Sequence, residues 1–242
     1  MIISYDTDVG RVRSENQDSV YVKQIDEKTA LLIVADGMGG HNGGKTASTN
    51  AIDVISKNIL AGYRKDLSCE ETDDLLVSSI QIANQSVYEE AFKNAELKGM
   101  GTTAVVALVS GDMLHTANVG DSRLYVYSGK KLSQVTTDHS YVESLVLKGL
   151  ISKDEAKTHP QKNVITRAIG ADMDIEIDIF RNSIAENDVI LMCTDGLHGL
   201  VSERDIKKVL KGDIEKAAES LVLMANEKGG KDNISVITVK IN

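Results

Sequence analysis

Three aspartates stand just past strongly apolar runs, Asp36 in IVADGMGG, Asp121 in ANVGDSR and Asp195 in LMCTDGL, and a fourth, Asp232 in GGKDNISV, precedes one. A single Asp-Gly is ordinary turn chemistry, since both residues tolerate the backbone angles of a turn. Four carboxylates abutting the most hydrophobic segments of one chain are harder to dismiss. Strand ends in a layered sheet can converge, and converging carboxylates repel unless a cation sits between them. The chain has no CxxC and no HxxxH or HExxH spacing, so the donors are hard oxygens. These favour Mg²⁺ or Mn²⁺ over Zn²⁺.

A fifth element is GRVRSENQDS (Gly10–Ser19), in which Arg13 precedes Asn16, Gln17 and Asp18. An arginine near an acidic metal cluster is either a salt bridge or a grip for phosphate, which its guanidinium meets with two parallel hydrogen bonds. Local sequence leaves both readings open.

The elements that must position these residues follow from periodicity. SVYVKQI (Ser19–Ile25) and TALLIVA (Thr29–Ala35) are apolar, β-branched and joined by a short polar turn, which predicts a hairpin. A loop with five glycines between Gly37 and Gly44 follows. Ala47, Ala51, Val54 and Ile55, then Leu76, Ile80, Ala83 and Val87, recur at helical spacing and read as core faces. From Thr102 to Thr136, TTAVVALV, MLHTANV, SRLYVY and KLSQVT are separated only by SGD, GD and SGK. Connections this short exclude parallel crossovers, so the run is expected to be an antiparallel meander. DIEIDIF alternates in period two, VILMC is continuously apolar, and two helical stretches precede a last strand, ISVITVKI. Antiparallel sheet with grouped helices is an α+β layered architecture.

Composition narrows the function. The 242 residues are 42% hydrophobic and 26% charged, with net charge −9. An acidic balance argues against nucleic acid or an anionic membrane as partner. No apolar run approaches the ~20 residues of a membrane span, and the N-terminus lacks a signal-peptide pattern. Cys69 and Cys193 provide no disulfide framework. The expectation is a cytoplasmic monomer with one continuous domain, 1–242.

Taken in order, R-x-x-N-Q-D, D-G-M-G-G, G-T-T, N-V-G-D-S-R, D-G and D-N-x-S, spread from Gly10 to Val236, resemble the type-2C metal-dependent protein phosphatases, especially their compact bacterial members. The resemblance implies a four-layer α-β-β-α sandwich with two antiparallel sheets and hydrolysis of phosphoserine and phosphothreonine in proteins. It implies two ions, Mn²⁺ or Mg²⁺, with Asp36 bridging them, the Gly37 carbonyl on one, and Asp195 and Asp232 on the other. Asp18 matches an acid that holds metal-bound waters, Asp121 pairs with Asp195 at a third ion, and Arg13 matches the phosphate-holding arginine. Substrates would be phosphoproteins made by a serine/threonine kinase. Water between two ions is acidified toward neutrality, so no covalent phosphoenzyme is required. Two departures stand out. Gln17 occupies a position where many relatives carry Glu, and Met38 replaces a histidine that several members use as a proposed general acid. A metal-held water or another group, His41 among the candidates, must then protonate the leaving alkoxide. The polar stretch 141–165 matches the variable flap beside the cleft.

Rival readings exist. Gly39–Thr46 satisfies G-x-x-x-x-G-K-[ST], the phosphate cradle of P-loop nucleotidases, but that core is parallel and would leave Arg13, Asp18, Asp121 and Asp232 idle. A cysteine phosphatase would need an arginine six residues past a cysteine, where Leu75 and Gly199 stand. An inactive scaffold would be expected to have lost the aspartates or Arg13. His115 and Asp138-His139-Ser140 read as structural.

Overall fold

TALLIVA is apolar throughout because neither face of the strand it forms meets water. In the computed structural model, which describes residues 1–40 and 43–242, this strand is β3 (Thr29–Ala35), buried at every position. Strands and helices are numbered along the chain. Leu31, Ile33 and Ala35 face a helical layer, and Ala30, Leu32 and Val34 face a second sheet, as the two-residue period of a strand dictates. Its own sheet runs, in spatial order, β10 (Asp178–Ser183), β7 (Met113–Val119), β6 (Ala104–Ser110), β3 and β2 (Ser19–Asp26), all antiparallel. The second sheet runs β1 (Ile2–Asp8), β12 (Ile234–Lys240), β11 (Val189–Cys193), β8 (Arg123–Ser128) and β9 (Lys131–Gln134), again antiparallel. A two-residue pair, β4 (Gly37–Met38) with β5 (Gly101–Thr102), ties the glycine-rich loop to the entrance of β6.

Helices α1 (Gly43–Gly62) and α2 (Cys69–Lys93) cover the first sheet, and the expected stripes are the faces they bury. Ser68 starts α2 with a reciprocal capping box to Glu71, which satisfies two backbone donors that the first turn leaves over. On the second sheet lie α5 (Asp195–His198), α6 (Glu203–Leu210) and α7 (Ala217–Glu227). A third apolar layer, including Leu32, Val105, Ile190, Met192 and Ile237, fills the space between the sheets. The architecture is the expected α-β-β-α sandwich. Among the described residues no helix is long and apolar enough to cross a membrane.

The meander needs correction. β6 and β7 pair in one sheet and β8 and β9 in the other, so Gly120–Ser122 joins two sheets and does not close a hairpin. Shortness excludes a parallel crossover but leaves a corner possible. Gly120 makes this corner: its φ is +106°, and a Cβ there would fall 2.5 Å from Thr103 side-chain atoms. The alternation in DIEIDIF is also read too early, because the strand begins at Asp178. Ile175 and Ile177 pack on the α1–α2 core as partly buried side chains without strand pairing.

The segment 141–165 holds more helix than its polar sequence suggests. α3 (Tyr141–Leu147) and α4 (Lys153–Thr158) are each started by a serine cap, Ser140 and Ser152. A Ser140–Ile165 bridge closes the base of the segment, while Leu147 and Leu150 stay exposed.

Replacing Gly120 with alanine should cost roughly 3 kcal/mol from backbone strain and the clash with Thr103. A melting temperature within a degree or two of wild type in a thermal-unfolding scan would refute this account of the corner.

Candidate active site

Strand register brings the acidic residues together. In the first sheet Ala35 pairs with Ser19, Val34 with Val105, and Ala104 with Val119. The end of β3, the starts of β2 and β6 and the end of β7 therefore share one rim. In the second sheet Asp8 pairs with Ile234, and Cys193 with both Val236 and Arg123, which forms a matching rim. Asp18 stands before β2, Asp36 after β3, Asp121 on the corner after β7, Asp195 opens α5 after β11, and Asp232 lies just before β12.

Asp18 ties the rims together. Its carboxylate is buried, and Oδ2 accepts hydrogen bonds from the Thr194 hydroxyl at 2.9 Å and the Ser235 hydroxyl at 2.7 Å. Asp36 is held through its backbone: its N–H donates to Thr103 Oγ1 (3.0 Å), and its carbonyl accepts from the Thr103 N–H and the Thr102 hydroxyl. The Thr103 and Ser122 hydroxyls are 2.8 Å apart, which links this mount to the residue beside Asp121. The Asp121 carbonyl oxygen lies 3.1 Å from His198 Nε2. Burial pushes the His198 imidazolium down to about 3, so the neutral ring donates there. Gly37 is needed for close approach, since a Cβ would fall 2.0 Å from the Gly44 carbonyl.

The electrostatics are those of crowded like charges. Burial is the largest cause in every case, and neighbouring aspartates add to it. Asp36 is raised well above the usual carboxylate range, with Asp18, Asp195, Asp121 and Asp232 all contributing. Asp18 and Asp121 are each pushed up to about 7. Asp195 is raised as well, although its side chain shares a hydrogen bond with Asp36. Arg13 is one nearby cation and donates to Asp232 at 2.8 Å, and Arg123 opposes the rise at Asp121.

The donor set fits a hard divalent cation. Asp18 Oδ1 and Asp195 Oδ1 are buried without a hydrogen-bond partner, and an orphaned buried carboxylate oxygen costs several kcal/mol unless protonated or matched by a cation. Among the described residues no three His, Cys, Asp or Glu side chains already close on one point. The carboxylates are close enough to repel but are not a finished cage.

Sequence reasoning assigned no role to the mounts Thr194, Ser235, Thr103, Ser122 and Asn233, although all but Thr194 stand in the motifs that carry the resemblance. Their only local signal is a hydroxyl or amide next to or near each aspartate. Lys45 settles differently from its motif, donating to the Asp18 carbonyl at 2.8 Å and to Ser19 Oγ at 3.3 Å, so it clasps α1 to the Asp18 loop. His41 lies outside the described residues, as does part of the Gly39–Thr46 motif. His115 is a satisfied strand residue, with Nδ1 2.7 Å from Asp73 Oδ1. Asp138 receives Arg123 at 2.6 Å, and His139 Nδ1 accepts the Gly120 N–H at 3.1 Å, so that segment braces the corner.

A two-sheet sandwich with an acidic rim suited to divalent cations narrows the class of protein, and comparison with known proteins makes the class specific. Residues 10–227 match the family model described as protein phosphatase 2C. The chain is 37% identical over 244 residues to the serine/threonine phosphatase Stp of Listeria innocua, covering all of this chain and 96% of that protein. It superposes on the serine/threonine phosphatase Stp1 of Staphylococcus aureus with a TM-score of 0.93 at 37% identity, covering 100% and 96% of the two chains. The catalytic domain of the phosphatase PstP, solved with two manganese ions, superposes with a TM-score of 0.86 at 30% identity, covering 99% and 98%. The chain belongs to the protein phosphatase 2C family.

The raised carboxyls set a sign for pH dependence. Between about 4, where free aspartate titrates, and about 7, the folded metal-free chain binds protons that the unfolded chain has released, so its stability falls as pH rises. The melting temperature in EDTA should be lower at about pH 8 than at about pH 5.5, and Mn²⁺ should raise it more at the higher pH. Asp18→Asn should flatten the slope in EDTA. Equal stabilisation by Mn²⁺ at both pH values would contradict the assignment.

Proposed function

We propose that this protein phosphatase 2C family member hydrolyses phosphoserine and phosphothreonine in proteins at the acidic rim. The observation that carries the reading is the gathering of Asp18, Asp36, Asp121, Asp195 and Asp232 at one end of the sandwich beside Arg13. Asp36 would be shared between two ions, Mn²⁺ or Mg²⁺, with Gly37 contributing its carbonyl and Asp195 and Asp232 completing the set. Asp121 with Asp195 would hold a third. Bound divalent ions supply the positive charge that lets phosphate approach an acidic cluster, and the polarisation that makes water a nucleophile.

The chain's own residues do the rest. Arg13 is 54% exposed, and its pair with Asp232 is a surface ion pair worth about 0–1 kcal/mol. Exchanging that partner for phosphate oxygens therefore costs little, and two parallel hydrogen bonds orient the phosphoryl group and take up charge as the ester bond breaks. Thr194 and Ser235 occupy Asp18 Oδ2 and leave Oδ1 free to orient water. Gln17 brings no charge to the site, which weakens the hold on a second ion. Met38 cannot give a proton to the leaving alkoxide, so that proton must come from water or another group.

The substrates are read as products of a serine/threonine kinase, met by a cytoplasmic monomer. The segment 141–165, with Leu147 and Leu150 exposed, is read as the part that selects among them. The nucleotidase and inactive-scaffold readings have no support. Both large sheets are antiparallel, Lys45 is engaged by the Asp18 carbonyl, and the acidic set and Arg13 are all present.

Hydrolysis of a phosphothreonine peptide should require Mn²⁺, vanish in EDTA and fall about 100-fold or more in Asp36→Asn. Arg13→Ala should lower kcat/KM about 10- to 100-fold. ATP hydrolysis without phosphopeptide hydrolysis by metal-loaded protein would overturn the reading. Exchanging 141–165 for a relative's segment should shift peptide preference while hydrolysis of an aryl phosphate persists. An unchanged preference would remove the segment from substrate selection.

A further inference from the structure

The loop that carries Arg13 has little core of its own. Arg11, Val12, Arg13, Ser14 and Glu15 are all exposed, and Val12 is 67% exposed. Its anchorage comes from the opposite end of the chain, and largely from one side chain. Asn233, 6% exposed, donates both N–H bonds of its amide, one to the Val9 carbonyl and one to the Glu15 carbonyl, each at 2.9 Å. Its Oδ1 accepts the Gln17 N–H at 2.8 Å. Three hydrogen bonds from one buried amide thus fix residues 9, 15 and 17, on both sides of Arg13. The approach is tight as well: the Arg11 N–H donates to the Gly230 carbonyl at 2.7 Å, and a Cβ on Gly10 would fall 2.3 Å from the Asp232 carbonyl.

We infer that Asn233 is a positioning residue for phosphate recognition, a clamp that sets where the Arg13 guanidinium stands relative to the aspartates. The inference rests on the reading of Arg13 as the phosphate-holding group. The amide is suited to the task because it offers two donors and an acceptor in one plane, and the three backbone groups use all of that pattern. An aspartate of the same shape would set an acceptor against two carbonyls and release both ends of the loop. The loop's hold on Arg13 would then slacken, while residues 236–240 stay paired on both sides in the sheet.

The test measures inhibition by inorganic phosphate, KM and kcat for a phosphothreonine peptide, and Mn²⁺ affinity by calorimetry. Wild type is compared with Asn233→Asp, Arg13→Ala and the double variant. Asn233→Ser serves as a second probe, since it frees the loop without adding charge. Both Asn233 variants should weaken phosphate inhibition and raise KM about tenfold. Mn²⁺ affinity should stay within about twofold, and in the Arg13→Ala background the Asn233 substitution should add less than about twofold. A full additional loss in that background, or a fall in Mn²⁺ affinity that tracks the loss of activity, would show that Asn233 acts elsewhere. Unfolding of both variants at the assay temperature would reduce it to a fold determinant and end the proposal. Arg13→Ala with unchanged phosphate inhibition would instead sink the reading of Arg13 itself.

Discussion

Carboxylates crowded into a space that water reaches poorly repel one another, and much of this fold is arranged to withstand that repulsion. Five aspartates meet at one end of the sandwich, four of them with pKa values raised by burial and by one another. Such a cluster would push its own supports apart if they were loose. For Asp36, Asp121, Asp195 and Asp232 the supports are instead the ends of strands buried on both faces, and three separate apolar layers hold those strands. Burying a single Leu or Ile contributes roughly 1.5–3 kcal/mol, so many such residues outweigh the few kcal/mol of mutual repulsion. The rigidity of the core and the strain at the rim belong to one design. Protons relieve the strain in the free protein, and cations do so in the proposed working state.

The same constraint explains the hydroxyls. A buried carboxylate left alone would be protonated, so an aspartate intended to stay charged needs donors aimed at it. Thr194 and Ser235 do this for Asp18 on one oxygen only, which leaves the other for a different partner. Asp36 is held differently. Its backbone is clamped by Thr102 and Thr103 while its carboxyl is left to face its neighbours.

Much of this was legible from sequence, and the limits are physical. Period-two and helical patterning reported which side chains are buried, so β3, β11 and the faces of α1 and α2 could be read directly. Asp36, Asp195 and Asp232 could be read because each adjoins such a run. Asp121 was found while its connection was misjudged, because Gly-Asp-Ser serves equally well as a turn within a sheet or a corner between two. Positive φ at Gly120 suits either, and only the packing of Thr103 against it distinguishes them. The hydroxyl mounts were illegible for another reason. Thr194 and Ser235 lie 41 positions apart and meet through their own hydrogen bond, and Asp18 lies 176 positions from Thr194. No local window holds such a relation. The Lys45 motif is the opposite case, a local pattern that was set aside, since a short pattern specifies a cradle only when a parallel sheet stands behind it.

The order of the second sheet has a consequence for how the protein comes into being. β12 is the last of these strands in chain order and lies between β1, the first of them, and β11, and Asp232 and Asn233 enter just before it. On the ribosome, β1 must wait without its sheet neighbour β12 until residues 234–240 have emerged, at about 5–20 residues per second. The first sheet with α1 and α2 draws mostly on residues 19–119 and has its main partners far earlier. The acidic rim therefore forms only once residues 232–240 have been made, and a shorter nascent chain carries part of a site whose charges have not yet been forced together.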